Sequence, residues 1–370
     1  MFGLILISTV TVMHVYVLWR AASVPFVRRH AAGKKIVIAG LVLWCLFLVG
    51  RIYGHDSSSV IATAIELAGM TWMAILFLTV VPMLAVDIAT GFGFLFPRIA
   101  PLLRGAALVC GAVLSTIAMA QGMRPPVVEQ YEVYLLGLPA KLDGTIIVGM
   151  SDLHIGSTLD GKWLEKRVSQ VLAERPDMVV LLGDIFEGHS QPTKEHVATL
   201  KGLKAPLGVW AVLGNHEFHG RDDSIVSTFH DAGIAVLRNE KAEVRPGLKL
   251  AGVDDLTANR RSGLNADLVT RALAKPTKGA TILLSHTPWS ADLAAKAGAG
   301  LMLCGHTHGG QIWPFGYFVR RIYPLLSGRY DVDGMTVIVS RGAGTWGPRM
   351  RLWEPGEIIR VTLRARKAEV

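Results

Sequence analysis

Acidic side chains are almost missing from the first third of this 370-residue chain: residues 1–124 hold only Asp56, Glu66 and Asp87. Lys and Arg in that stretch are confined to short patches between apolar runs. So little charge excludes an ordinary water-facing surface there. Cysteine is scarce too. Cys45 and Cys110 sit in apolar runs and Cys304 stands alone in the remainder, which argues against a disulfide framework and leaves the compartment open. Also missing is any basic run interleaved with aromatics. The net charge of +9 therefore reads as a solvated basic surface, and nucleic acid is not an expected partner.

What the first third does have is apolar length. Hydrophobic residues make up 51% of the chain and mean hydropathy is +0.39, an excess concentrated before residue 125. Four stretches, Phe2–Trp19, Ile36–Val49, Val60–Val86 and Ile99–Gln121, approach or exceed the length needed to cross a bilayer at about 1.5 Å rise per residue. The second is short unless Arg51 and Tyr53 snorkel from its end. The first lacks a basic leader and an Ala-x-Ala-like cleavage site, so it is expected to be a retained helix. Arg20, Arg28, Arg29, Lys34 and Lys35 in the first loop, and Arg98 and Arg104 in the third, outnumber Arg51 and Arg124 on the other side. That bias places the first and third loops in the cytoplasm and the C-terminal part outside it; a bacterial plasma membrane is the expected location. His14 and Glu66 are ionisable groups in or near these runs. A hydrogen bond between helices accounts for the first, and a helix-end position for the second.

After Pro125-Pro126 the pattern changes to short β-branched runs alternating with amphipathic segments. We expect a linker over 125–144 and a second domain over 145–370. Strands are predicted at Thr145–Met150, Met178–Leu182, Val209–Leu213, Lys249–Val253, Thr281–Leu284, Leu301–Cys304 and Met335–Val339, with helices at Gly161–Glu174 and Asn265–Lys275. This is an α/β arrangement.

The strands run straight into chemistry. Ser151-Asp152-Leu153-His154, Gly183-Asp184, Gly214-Asn215-His216-Glu217, Ser285-His286 and Gly305-His306-Thr307-His308 each follow a predicted strand. In open α/β sheets ligands bind at the carboxyl ends of strands, so these groups converge on one edge. Asp-x-His and His-x-His are expected to be extended, with alternate side chains on one face. Mixed His, Asp and Asn donors suit Mn, Fe or Zn better than Ca or Mg. Asp152, His154, Asp184, Asn215, His286, His306 and His308 are too many for one four-coordinate zinc, and fit a pair of ions.

This series resembles the calcineurin-like metallophosphoesterase superfamily from about Thr145 to Arg360. Leu284-Ser285-His286-Thr287-Pro288, Gly252-Val253-Asp254-Asp255 and the Gly305–Gln311 run are similar to its bacterial branch of membrane-associated phosphodiesterases. The four apolar runs lie outside the resemblance. It implies a four-layer α/β/β/α sandwich beside the multi-pass helical region. It also implies that Asp152, His154 and His308 hold one metal, Asn215, His286 and His306 the other, with Asp184 between them. His216 is then the acid that protonates the leaving oxygen, and the nucleophile a hydroxide bridging the metals. Glu217 either orients His216 or is a solvated carboxylate beside it. Ser151 and Ser285 are not expected to act as nucleophiles.

The expected activity is hydrolysis of a phosphoester or pyrophosphate bond, with a lipid-linked substrate and membrane lipids as partners. A nuclease or cyclic-nucleotide phosphodiesterase is the alternative enzyme, and a ligand-binding membrane protein without turnover the alternative class. Trp313-Pro314-Phe315-Gly316-Tyr317-Phe318, followed by Arg320-Arg321 and Tyr323, is a candidate contact for acyl chains and a phosphate.

Overall fold

Four of the apolar runs form long helices because almost every position is apolar and none carries a run of charge to be solvated. In the computed structural model the helices are α1 (Phe2–Ala21), α2 (Pro25–His30), α3 (Gly33–Val49), α4 (Val60–Ala89) and α5 (Ala100–Gly122). The structure describes all residues except 1, 55–58, 157–158, 160, 188–191, 220–221, 264–266, 275–277 and 367–370. It forms two compact units, one of residues 1–123 with 347–352 and one of 124–346 with 353–370.

In the first unit, α1, α3, α4 and α5 are each long and apolar enough to cross a membrane. The run expected to be short is not: a π-helical turn, Gly50–Gly54, continues α3 to give a 21-residue apolar span through Tyr53. Large apolar side chains such as Val12, Leu41 and Val109 point outward, as they would toward lipid. Small residues let the helices approach. A Cβ on Gly111 would lie 2.6 Å from the Thr79 hydroxyl, so only glycine fits there. His14 is buried and accepts a hydrogen bond from the Trp72 indole N–H at 3.1 Å, joining α1 to α4. The charged residues of this unit also meet. Asp87, fully buried, lies 2.6 Å from Arg20 Nε, accepts from Arg104 Nε at 2.8 Å and from the Tyr16 hydroxyl at 2.7 Å.

Among the described residues the second unit holds twelve strands. They are β1 (Val127–Leu136), β2 (Ile146–Met150), β3 (Met178–Leu182), β4 (Val209–Val212), β5 (Ala235–Val236), β6 (Glu240–Arg245), β7 (Leu248–Gly252), β8 (Ala280–Leu284), β9 (Leu301–Cys304), β10 (Gly328–Val332), β11 (Met335–Val339) and β12 (Glu357–Arg366). One sheet runs β1-β12-β2-β3-β4-β5 and the other β10-β11-β9-β8-β7-β6. The helices are α6 (Gly161–Ala173), α7 (Lys194–Leu200), α8 (Asp222–Asp231), α9 (Leu256–Arg261), α10 (Leu268–Leu273), α11 (Ala291–Lys296) and α12 (Gly316–Ile322).

Strand alternation sorts the side chains into layers. On β3, Met178, Val180 and Leu182 enter the core between the sheets, while Val179 and Leu181 join the core under α6 and α8. On β9, Leu301 and Leu303 face the first sheet and Met302 and Cys304 face α10 and α11. With both faces covered, a central strand must be apolar throughout, which is why β3 reads Met-Val-Val-Leu-Leu. The result is the expected α/β/β/α sandwich.

Two expectations change. Residues 125–144, read as a linker, contain β1, a ten-residue strand paired in parallel along its whole length with β12. The alternation that buries Val133 and Leu135 leaves Glu132 and Leu136 outside, a half-exposed edge rather than a connector. The helix predicted over Asn265–Lys275 is α10, Leu268–Leu273; Asn265 and Lys275 lie outside the described residues.

Candidate metal centre

Five strands deliver the site. β2, β3 and β4 are parallel neighbours in one sheet, and β8 and β9 are parallel neighbours in the other. Their carboxyl ends therefore share an edge, and the residues that follow them meet there. The chain does not leave the strands in extended form, as Asp-x-His and His-x-His suggest. Asp152, His154, Asp184, His306 and His308 all take positive φ, between 48° and 74°. A set of non-glycine residues in the left-handed region is costly, and the surrounding bonds hold it in place. His306 N–H donates to both oxygens of Asp152 at 3.1 Å, and Gly344 N–H donates to the Asp152 carbonyl at 3.0 Å. Glycine is required at two of these turns. A Cβ on Gly214 would overlap Asp184 Oδ1, and one on Gly305 would overlap the Ser151 hydroxyl.

The donors form overlapping sets. Asp152, His154 and His308 offer ligand atoms within 4.8 Å of one another, as do Asp184, His286 and His306, and also His154, Asp184 and His216. Asp184 Oδ2 stands 3.1 Å from His286 Nε2 and 3.9 Å from both His154 Nε2 and His216 Nε2. His154 Nε2 lies 3.1 Å from His308 Nε2, and His286 Nε2 lies 3.2 Å from His306 Nδ1.

The far nitrogens show which near ones keep a lone pair. His286 Nδ1 donates to the Leu182 carbonyl at 2.7 Å, so Nε2 is the nitrogen it turns into the site, toward Asp184. His154 Nδ1 faces Glu187 Oε2 at 2.9 Å, which frees its Nε2 in the same way. Among the described residues, Asn215 Oδ1 is buried with no hydrogen-bond partner. Carboxylates and imidazole nitrogens within 4.8 Å of one another, with an unpartnered buried oxygen on the Asn215 turn, are a donor set that fits a cation, and the residue types are those of first-row metal sites.

Electrostatics follow from burial among these groups. Burial opposes the charge of Asp184, but His286 and His216 outweigh it and hold the carboxyl well below its ordinary range. Burial likewise opposes a charged His216, and Asp184 and Glu187 outweigh it, raising the imidazole to about 9.

The sequence missed Glu187 and misread Glu217. His216 Nδ1 lies 2.9 Å from Glu187 Oε1, so Glu187 is the carboxylate that holds this ring. Glu217 is neither beside solvent nor an orienting partner of the His216 ring. It is buried and accepts four backbone N–H bonds, from Asp184 at 2.9 Å, Ile185 at 2.7 Å, Phe186 at 3.1 Å and Gly214 at 2.7 Å. It ties the turn after β3 to the turn after β4. The available signal for Glu187 was its place three residues after Asp184. The serines are occupied: Ser151 donates to Asp152, and Ser285 to the Thr287 carbonyl at 2.8 Å. The aromatic segment lies close by. Phe315, Tyr317, Phe318 and Ile322 are exposed, whereas Tyr323 turns inward with its hydroxyl 2.8 Å from His306 Nε2.

Asp, Asn and His gathered at the strand ends of a two-sheet α/β sandwich define a domain of metal-binding type. The family model for calcineurin-like phosphoesterases matches residues 146–310. An uncharacterized metallophosphoesterase of Campylobacter jejuni is 31% identical over 262 residues, 70% of this chain and 69% of that protein. A zebrafish transmembrane protein with a metallophosphoesterase domain is 33% identical over 270 residues, 70% of this chain but 62% of its own length. An uncharacterized metallophosphoesterase of Aquifex aeolicus is 35% identical over 245 residues, 65% of this chain and 92% of that one. The chain belongs to the calcineurin-like metallophosphoesterase family.

Proposed function

We propose that this protein is a membrane-anchored, two-metal phosphohydrolase that cleaves a phosphoester or pyrophosphate bond, with a lipid-linked substrate. The observation that carries the reading is the meeting of Asp152, His154, Asp184, His216, His286, His306 and His308 from five strand ends, with the buried Asn215 Oδ1 unpartnered among the described residues. Asp152, His154 and His308 would hold one divalent ion, Asn215, His286 and His306 a second, and Asp184 would serve both. Ions of Mn, Fe or Zn bound there would supply positive charge for the phosphoryl oxygens and bring the pKa of water toward neutrality.

The remaining work falls to the protein. With Nδ1 of His216 held by Glu187, its Nε2 is directed toward the Asp184 side of the site, 3.9 Å from Oδ2. That nitrogen donates the proton a leaving oxygen needs. Four helices of spanning length and the exposed aromatic segment with Arg320 and Arg321 support a lipid-linked substrate. The segment would cover acyl chain while an arginine binds phosphate.

The test is turnover by the full chain in detergent. With Mn²⁺ it should hydrolyse a chromogenic phosphodiester, lose the activity to EDTA, and release phosphate from a membrane lipid extract. No hydrolysis of either with Mn²⁺, Fe²⁺ or Zn²⁺ would overturn the enzyme reading in favour of a ligand-binding domain.

A further inference from the structure

We infer that Tyr323 is a positioning residue for the metal site, its phenol oxygen supporting the tautomer in which His306 binds an ion; this rests on the two-metal reading above. A neutral imidazole carries one N–H, so a ring that offers its lone pair on one side must place its proton on the other. His306 turns Nδ1 toward His286 Nε2, at 3.2 Å, and Nε2 toward the Tyr323 hydroxyl, at 2.8 Å. If Nδ1 binds a metal, Nε2–H donates and the phenol oxygen accepts.

The phenol is itself held. The Tyr323 ring stacks on Trp289 with centroids 5.1 Å apart and planes 19° apart, and the Arg260 guanidinium lies 4.3 Å from the Trp289 ring centre. Trp289 Nε1–H donates to the Ile322 carbonyl at 3.3 Å, which ties the start of this turn to the same ring. Tyr323 thus arrives at His306 from outside the metal-ligand motifs, on a stack contributed by the last turn of α9, the loop after β8 and the end of α12.

The three partners differ in kind. His154 is backed by a carboxylate and His286 by a backbone carbonyl, and both groups only accept. A phenol can accept or donate. Without metal it can turn its hydrogen to His306 Nε2, which moves the ring proton to Nδ1 and closes that nitrogen to an ion. The ion on the Asn215, His286 and His306 side is therefore held through the one adjustable partner among these three. It is the ion that should depend on Tyr323.

The experiment is metal titration of Tyr323→Phe, which removes the hydroxyl and keeps the stacking ring. The full chain in detergent, stripped of metal, is titrated with Mn²⁺ by calorimetry and by electron paramagnetic resonance, with wild type alongside. The expected result is two binding events in wild type, with one weakened about 10–100-fold in the variant and the other unchanged. At intermediate Mn²⁺ the variant should show the spectrum of an isolated ion where wild type shows a coupled pair. Equal melting temperatures of the metal-free proteins would confirm that folding is intact. If that melt falls instead, Trp289→Phe, which keeps the phenol, must leave both affinities closer to wild type than Tyr323→Phe does. Both events unchanged in Tyr323→Phe, or both weakened alike, would overturn the assignment. A wild type that binds no Mn²⁺ would overturn the two-metal reading itself.

Discussion

Glu187 spans two histidines: Oε1 lies 2.9 Å from His216 Nδ1 and Oε2 lies 2.9 Å from His154 Nδ1. One carboxylate thereby sets the orientation of a potential metal ligand and of the proposed proton donor. Glu187→Gln keeps the shape and removes the charge. It should lower kcat by about 10–100-fold. His216→Ala should retain bound metal and lose about 10²–10⁴-fold. Steady-state kinetics with metal analysis of both variants provide the check, and full activity in His216→Ala would sink the acid role.

Asp184 reaches both ligand sets and also accepts the His216 backbone N–H through Oδ1 at 2.9 Å. Asp184→Asn preserves that last bond, so folding should survive while activity collapses. Elemental analysis should find about two transition-metal ions in wild type and fewer in the variant. Wild-type metal content and kcat in Asp184→Asn would remove Asp184 from the centre.

Asp87 is the buried acid of the helical unit and binds Arg20, Arg104 and Tyr16. Two guanidinium groups share its charge, and removing it takes that anion from both. Asp87→Ala should destabilise the helical unit by about 3–5 kcal/mol. Thermal unfolding in detergent tests this. An unchanged midpoint would mean that the cluster adds nothing to stability.

Phe315 and Phe318 are exposed, with ring centroids 6.1 Å apart. Replacing both with Ser should raise KM for a lipid phosphoester and leave a small water-soluble substrate nearly unaffected. Each methylene that loses its cover costs about 0.8 kcal/mol. Equal loss on both substrates would mark the segment as structural.

Sidedness rests on charge alone. The first and third loops and the helix ends that border them carry most of the Lys and Arg of residues 1–124, so the second unit is expected outside the cytoplasm. A C-terminal reporter that works only in the cytoplasm should stay silent, and a strong signal would reverse the orientation.

Much of this protein could be read from its sequence, for a local reason. β3, β9 and β11 lie at their predicted positions because a central strand covered on both faces has to be apolar at every position, and that run is visible without neighbours. The four long apolar helices were equally plain, since length and apolarity are visible in the residues themselves. Candidate ligands were legible because each follows a strand directly, so that connectivity alone brings Asp152, Asp184, Asn215, His286 and His306 to one edge.

Tertiary structure decided what depends on which loops meet. β1 looks like a connector until β12, the last strand of the chain, supplies its partner along all ten residues. Glu217 is adjacent to His216 in sequence yet bonds four backbone N–H groups, because the turn after β3 passes under it. The carboxylate that does hold His216 comes from beyond that turn, as Glu187, and Tyr323 reaches His306 from the end of α12. Residue type and spacing show that an imidazole can bind a metal. Which of its nitrogens does so depends on the acceptor behind the ring, and only the folded chain selects that acceptor.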